Sequence, residues 1–585
     1  MTARLDQWSA APLSGPAESA LTKSTLVPKR SGRQRPYGNG AYQQLHIFGA
    51  VIALYNFGLH YESFRLTAGV MDHWCRRPDS MRNLSVDEWK QLAIPVDEKG
   101  EHSHCTMRDP PDGGHAARIV PCASWEFDLG QYGNNIVSHW NLVCNRRWLI
   151  DVARLVYAAA SMVPLPAVGA LADGIGRKAV LFLTVPVVLI SGAASAVPND
   201  FHFFVTARAI VSASTSALIP PMYALLYELS PIEKFPATII MVSLTALVLS
   251  PITLLTAQFV KAGWATLQLI LMVPTCLLLL LYYTVEESPS WLLETGNVRE
   301  AERIALRAAN MNKVSIEDCR DLMTSQAAEI QARSQDAGHS SGICSPRFRA
   351  CTITICYMWT AISYAFDAFV INDGVPVGEI ATAVSFVVTF IVCVTSVPFF
   401  PYFGFRNSVV STGLVFALTL TALATDLREQ TVLRDSLVIV MRATGTVCFS
   451  LYFIISIVPY PLMTRCLGVS VGLAFSRLGD TLAQMSPALL GGRRTTLQLA
   501  IAAAFMSLFV VGAELVPCHI DVGQQCQLAP SRSTSHVTSE DRKRAMQETL
   551  VRLPREPVKH RGTTTTKDKA TSSDCANQTN REKPY

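Results

Sequence analysis

Ionisable side chains are sparse in this 585-residue chain, and their positions invite a chemical reading. The stretch "GALADGIGRK", Gly169 to Lys178, sets Asp173, Arg177 and Lys178 among three glycines between two long apolar runs. A carboxylate at the end of one helix can accept hydrogen bonds from the unsatisfied N–H groups that open another. Asp173 is placed to form such a reversible latch, with Arg177 as a second partner. Gly169 would let the two backbones approach, as small residues do between membrane helices. Among the charged residues inside apolar runs five stand out: Arg154, Arg208, Asp367, Arg442 and Arg477. Charges in such runs usually face a cavity, and a guanidinium there is a bidentate binder of carboxylate or sulfate. Arg477 is one such guanidinium. Asp480, one helical turn away, could instead hold it in an internal ion pair and silence the site. Arg154 and Arg208 lie near the ends of their runs, where a long side chain can snorkel. Asp367 can pair with a base or take a proton. Trp359, Tyr364, Phe366, Tyr223 and Tyr452 offer aromatic faces for a planar organic ion, though each also suits ordinary helix packing.

These residues need apolar elements to position them. Half of the residues are hydrophobic (50%) and only 16% are charged, against about 25% charged in soluble domains. The mean hydropathy is +0.26. The apolar residues gather in runs of about 20, long enough to cross a hydrocarbon layer about 30 Å thick. Lipid offers no partner for backbone N–H and C=O groups, so the runs must be helices. We count twelve: 44–70, 149–171, 178–197, 202–225, 236–260, 265–285, 349–372, 377–400, 408–425, 436–460, 466–490 and 494–515. The reading is an all-α polytopic membrane protein with no cofactor and no metal site. No nucleotide loop, metal cluster or nucleophile constellation supports an enzyme. A net charge of +5 gives no reason to invoke nucleic acid.

Lysine and arginine cluster before the first span, after the second, across 286–348 and in the tail, which places those segments on the cytoplasmic side. The segment 72–148 is then outside. It holds Cys75, Cys105, Cys122 and Cys144, an even set expected to form two disulfides in one of three pairings. It also holds the sequon at Asn83, expected to be glycosylated. A second sequon, at Asn577, falls in the tail and should stay unmodified.

The spans divide as six and six: a cytoplasmic segment 1–43, a first half 44–285, a linker 286–348, a second half 349–515 and a largely disordered tail 516–585. In the linker, Asn297 followed by Glu300 reads as a capping-box-like helix start, with Leu306 and its neighbouring alanines on an apolar face. A weak internal repeat relates the halves, "GALADGIGRK" after the second span corresponding to "PYFGFRNSV" after the eighth. Two half-bundles around a midplane site are the architecture of alternating-access transporters.

Several stretches carry a family resemblance. Gly169, Asp173, Gly176, Arg177 and Lys178 match the G-x-x-x-D-x-x-G-R-K loop of the major facilitator superfamily. "CASWEFDLGQYGNNIVSHWNLVCNRRWL", "EESPSWLLETG" and "WTAISYAF" resemble its organic cation/anion/zwitterion transporter family. The resemblance covers roughly 44–515. It implies transport of small organic ions across the plasma membrane, with both termini cytoplasmic and a counter-ion or proton as a further partner. That family pairs an acid near the end of the fourth span with an arginine seven residues on, and repeats the pair in the tenth. Here Glu228 is followed by Phe235, and Arg465 is preceded by Val458, so each half keeps one partner. Either Lys234 substitutes and Arg465 finds another acid, or gating is weakened. In the eleventh span the anion carriers place an arginine where Arg477 stands, and Arg442 lies where relatives often carry a base. The resemblance therefore implies an organic-anion carrier. A cation or zwitterion carrier and a non-transporting receptor or scaffold are the alternatives.

Overall fold

The computed structural model describes residues 36–515 apart from 70, 97–99, 114–116, 131–132, 198–199, 232–233, 259–261, 337–341, 347, 372–378, 426–429 and 491–493. The expectations for the N-terminal segment before residue 36, the tail and Asn577 lie outside the described residues.

Helices cover all twelve predicted segments, and where a rod is broken the sequence shows why. The second span is split into Trp148–Ala160 and Pro164–Ile175, with proline at the first position of the second piece, where its missing N–H costs nothing. The fourth divides into Phe201–Ala217 and Ile219–Leu229 just ahead of Pro220 and Pro221. In the sixth, Trp264–Thr275 tightens after Pro274 into a 3₁₀ stretch, Cys276–Leu280. The remaining rods are Ala41–Thr67, Arg177–Ala194, Phe235–Gln258, Arg349–Ile371, Glu379–Ser396, Phe405–Leu423, Thr431–Ile457, Arg465–Leu490 and Arg494–Leu515. Eight helical stretches among the described residues are long and apolar enough to cross a membrane. The first, seventh, eighth and eleventh rods fall outside that set.

Packing follows a sixfold offset in span number. The first span packs on the fifth and the seventh on the eleventh; the third on the fourth and the ninth on the tenth; the third on the sixth and the ninth on the twelfth. Between the halves, the second meets the eleventh and the eighth meets the fifth, while the fourth meets the eleventh and the tenth meets the fifth. Each half is thus one six-helix unit and the seam has the same pseudo-symmetry.

At one end of the bundle, hereafter the cap end, lies the segment between the first two spans. It is not purely helical. His73–Cys75 pairs with Trp125–Phe127 and Thr106–Asp109 with Arg118–Pro121, both antiparallel. Of the three pairings open to the four cysteines, the structure has Cys75–Cys122 and Cys105–Cys144. Asn83 is exposed, two residues before Ser85, whose hydroxyl caps the helix Val86–Ala93. Trp140 anchors the cap on the first half, its ring 5.3 Å from Phe204 of the fourth span and 5.0 Å from Trp264 of the sixth.

At the opposite, motif end, the linker helix Val298–Met311 buries Ala301, Ile304, Ala305, Ala308 and Ala309, with Leu306 half-buried at the same core. The expected capping box is not formed. The Asn297 side chain makes no cap hydrogen bond. Glu300 instead binds Arg303 one turn on, at 2.8 Å from its Nε, an i,i+3 pair that competes for the same carboxylate.

Candidate functional site

Two clusters of charge join the halves, and both draw on the eleventh span. At the motif end the second span stops at Gly176, whose φ of +109° is one that side chains avoid. A Cβ there would meet Glu287 Oε2 at 2.4 Å. That tight turn lets Glu287 accept from the backbone N–H of Arg177 and Lys178, at 3.1 and 3.0 Å, capping the third span. Burial pushes the Glu287 carboxyl above its usual range, with the backbone N–H groups of Ser288 and Lys178 acting against that. Lys178 is half-buried, its Nζ 5.2 Å from the Phe182 ring. Trp291, three residues into "SPSW", donates from Nε1 to the carbonyl of Asp173 at 2.9 Å, and its ring lies 5.5 Å from the Arg177 guanidinium.

The Asp173 carboxylate crosses the seam. It accepts from the backbone N–H of Cys466 at 3.2 Å and of Leu467 at 2.8 Å, the first turn of the eleventh span. These are orphan donors at the positive end of a helix dipole. Gly169 sits one turn before Asp173, and a Cβ on it would lie 2.4 Å from Ser470 Oγ and 2.7 Å from the Cys466 carbonyl. The second and eleventh spans can therefore close only around a glycine.

Behind this contact, Glu228 Oε1 accepts from Arg177 Nη2 at 3.1 Å and from Arg465 Nη1 at 2.9 Å. Arg177 also reaches Asp173 at 3.4 Å and the Leu462 carbonyl at 2.7 Å. Arg177 is 0% exposed and Glu228 1%. Of the two outcomes foreseen for the broken charge pairs, the structure has Arg465 finding another acid, and the acid is Glu228 of the first half. Lys234 is exposed. In the mirror loop, Arg406 binds Glu514, at the end of the twelfth span, on its own side of the seam, with Nη2 2.7 Å from Oε2.

The second cluster lies toward the cap end. Arg477 donates from Nη1 to Asp480 Oδ2 at 2.7 Å, and both are buried. The internal pair that the sequence raised as an alternative is thus formed. The guanidinium also faces the ring of Phe57 at 4.6 Å, across the seam. Asp367 accepts from the hydroxyl of Tyr61 and from Gln484 Nε2, the latter at 3.4 Å. Of the two options left open for Asp367, a basic partner or a proton, these contacts supply no base: its partners are a phenol and an amide. Arg208 does not snorkel: it is 3% exposed and bound to the first span. Arg154 is half-buried beside Asp151, at 3.8 Å.

The aromatic residues divide. Tyr223 stacks on Phe453 across the seam, centroids 4.3 Å apart, and its hydroxyl bonds Ser243 at 3.1 Å. Trp359 touches that same Phe453 at 4.7 Å, and its indole N–H is buried with no partner among the described residues. Phe366 lies 6.4 Å from Phe449 in the same layer. Tyr364 instead faces Phe505 of the twelfth span at 5.0 Å, and the Tyr452 hydroxyl donates to the Ile355 carbonyl at 3.0 Å with its ring on Phe509. Both are packing residues of the second half. Arg442 covers the ring of Phe386 in the eighth span at 4.9 Å. Tyr61, Phe57, Gln484 and Glu287 escaped the sequence reading. An aromatic or amide in an apolar run carries no signal of its own, and Glu287 was hidden beside the departure at Glu286.

Two pseudo-symmetric half-bundles that meet around buried charge define the class of the major facilitator transporters. The proton:xylose symporter XylE bound to 6-bromo-6-deoxy-D-glucose superposes with a TM-score of 0.57 at 15% identity, over 81% of this chain and 96% of that one. A partially occluded, inward open form of XylE from E. coli gives 0.53 at 14%, over 82% and 98%. The model of the sugar (and other) transporter family matches residues 147–510. The chain belongs to that family and, within the major facilitator superfamily, is a divergent member of the organic cation/anion/zwitterion transporter group. Solute carrier family 22 member 6 of Rattus norvegicus is 24% identical over 76% of this chain and 83% of its own length. The β-alanine transporter of Drosophila melanogaster is 26% identical over 55% of this chain, and the match spans 59% of that relative. Solute carrier family 22 member 23 of Homo sapiens is 27% identical over 54% and 50%. The protein is a multi-pass membrane transporter of organic substrates and not an enzyme.

Proposed function

We propose that this transporter is a facilitator or exchanger of small organic ions bearing a carboxylate, zwitterions ahead of simple anions, across the plasma membrane by alternating access. The observation that carries the reading is the buried Arg477–Asp480 pair at 2.7 Å, set against Phe57 of the opposite half. Taking one partner of a buried pair leaves the other charge uncompensated, at a cost of about 3–5 kcal/mol. A simple anion on Arg477 would strand Asp480. A zwitterion offers a carboxylate to Arg477 and an ammonium to Asp480, so no charge is left alone. The resemblance to a β-alanine transporter is in keeping, β-alanine being a zwitterion at neutral pH. In this reading the Asp173, Arg177, Glu228 and Arg465 cluster is the gate on the cytoplasmic side. A receptor without transport fits less well, because the partners missing from each half are supplied by the other.

Uptake of labelled β-alanine, a simple monocarboxylate and an organic cation, in oocytes with surface expression verified, tests this. We expect carboxylate-bearing ions to enter, Arg477→Ala to abolish the uptake, and Asp480→Asn to shift preference from the zwitterion to the anion. Undiminished uptake in Arg477→Ala removes the carboxylate assignment. An empty panel with normal expression supports the receptor.

A further inference from the structure

Five acids are buried in the described bundle, and four hold a guanidinium: Asp173 and Glu228 on Arg177, Glu286 on Arg307 and Asp480 on Arg477. Asp367, in the seventh-span helix Arg349–Ile371, has none among the described residues. One of its carboxylate oxygens accepts from the Tyr61 hydroxyl across the seam, the other from Gln484 Nε2 at 3.4 Å. Both donors are neutral, so they orient the carboxylate without cancelling its charge.

A neighbouring acid deepens the deficit. The seventh and eleventh spans run side by side in one direction: Ser363 and Ser476 share a hydrogen bond of 2.6 Å, and a Cβ on Gly479 would meet the Thr360 carbonyl. Asp367 and Asp480 each lie one turn beyond those serines, within electrostatic reach of one another. Arg477 is committed to Asp480, so the cluster is one positive charge short. Two carboxylates that share a site do not both ionise without cost. The other elements packed here bring no remedy among the described residues. On the first span Glu62, next to Tyr61, is a further acid. On the tenth, Arg442 covers Phe386 and Arg434 holds Asp435, and on the twelfth Glu514 binds Arg406 at the motif end.

A second observation shows what the site is built to take. Gln484 Oε1 is buried with no partner among the described residues. Half a turn of the amide exchanges its oxygen and nitrogen, which are alike in shape. Oε1 then faces the carboxyl and accepts from a protonated Asp367. One amide thus offers a donor to the carboxylate and an acceptor to the acid. A hard metal ion takes about six oxygen ligands or more, and Asp367, Tyr61 and Gln484 together offer fewer.

We infer that Asp367 binds a proton that crosses the membrane together with the organic ion. The inference rests on the transport reading above and narrows the facilitator to a proton-coupled one. A zwitterion on Arg477 and Asp480 adds no net charge, so the surplus on Asp367 has to be cancelled separately. A proton taken onto the carboxylate, giving the neutral acid, does this. It also weakens the bond from Tyr61, which is stronger to an ionised acceptor. Proton binding is thereby tied to a contact between the two halves.

Voltage-clamped oocytes expressing the full chain are given β-alanine in sodium-free medium at graded external pH. A zwitterion with a proton carries one positive charge, so an inward current should grow as the medium is acidified, by up to about tenfold per pH unit. Asp367→Asn should flatten that dependence and Asp367→Glu should keep it, while Asp151→Asn, at an exposed acid of the cap end, should leave it unchanged. Tyr61→Phe keeps the ring and removes a donor that favours the ionised form, so the response should move about one unit to the alkaline side. That variant decides the matter should Asp367→Asn fold poorly. β-Alanine uptake without current, a current that needs sodium, or the wild-type pH dependence in Asp367→Asn or Tyr61→Phe overturns the inference. Should no organic ion be taken up, the transport reading fails, and infrared difference spectra of the purified protein, neutral against mildly acidic, become the readout. A carboxylic-acid carbonyl band that Asp367→Asn removes upholds proton binding at this site, and the lack of such a band overturns it.

Discussion

Glu228 carries more of the seam than any other side chain, because one carboxylate oxygen accepts from arginines of both halves. Glu228→Gln leaves two buried guanidinium groups facing a neutral amide, a loss of about 3–5 kcal/mol from the closed arrangement. Cys466 is buried beside this group. Its alkylation, followed by peptide mass spectrometry, should speed up roughly a hundredfold in the variant, the equivalent of ~3 kcal/mol. An unchanged rate would show that Glu228 does not hold this end shut. Gly176 is constrained twice, by its φ of +109° and by Glu287 standing 2.4 Å from where a Cβ would lie. Gly176→Ala should lower the thermal stability of the purified protein by about 1–3 kcal/mol, read from its unfolding curve. A neutral outcome would mean that the turn relaxes freely.

Among the helices, the eleventh is the shared partner: it packs on the seventh within its half and on the second and fourth across the seam. Gly169→Val would drive the second span away from Ser470 and Cys466, and with it lengthen the Asp173 bonds to Cys466 and Leu467, while leaving every charged side chain in place. The expected result is normal surface expression with uptake slowed at least tenfold, since the end cannot close. Rapid uptake would show that close approach of these two helices is dispensable. Glu287→Ala tests the third span differently. Removing a carboxylate that caps two backbone N–H groups should cost about 0.5–2 kcal/mol, the range for helix caps, and show as a lower melting temperature. Which helices exist was legible from hydropathy, because lipid leaves a chain no alternative. Their breaks were not, since Pro164 and Pro220 sit inside runs whose apolar pattern continues through them. The Asn297 cap misled for a local reason: Glu300 had a competing arginine one turn away.

At the scale of the whole molecule, the motif was legible and the partners were not. Asp173 and Arg177 announce themselves by spacing, and the start of the eleventh run at 466 could be placed by hydropathy. The bond from Glu228 to Arg465 spans 237 positions, and nothing in either neighbourhood signals the other. The same holds for Tyr61 and Asp367, which read as one more aromatic and one stray acid until the seam brings them together. The disulfide pairing lay beyond reach because four cysteines allow three arrangements, and only the two small sheets of the cap select one.

The two halves descend through one repeated pattern, yet they are no longer interchangeable parts. Two copies of the first half joined about the same axis would set Glu228 against Phe235, where Arg465 now stands. Two copies of the second would offer Arg465 only Val458. Neither homodimer could neutralise its own seam. Each half has become the other's obligatory complement, so the chain behaves as a heterodimer that happens to be covalently linked, and substitutions at 228 and 465 are bound to travel together.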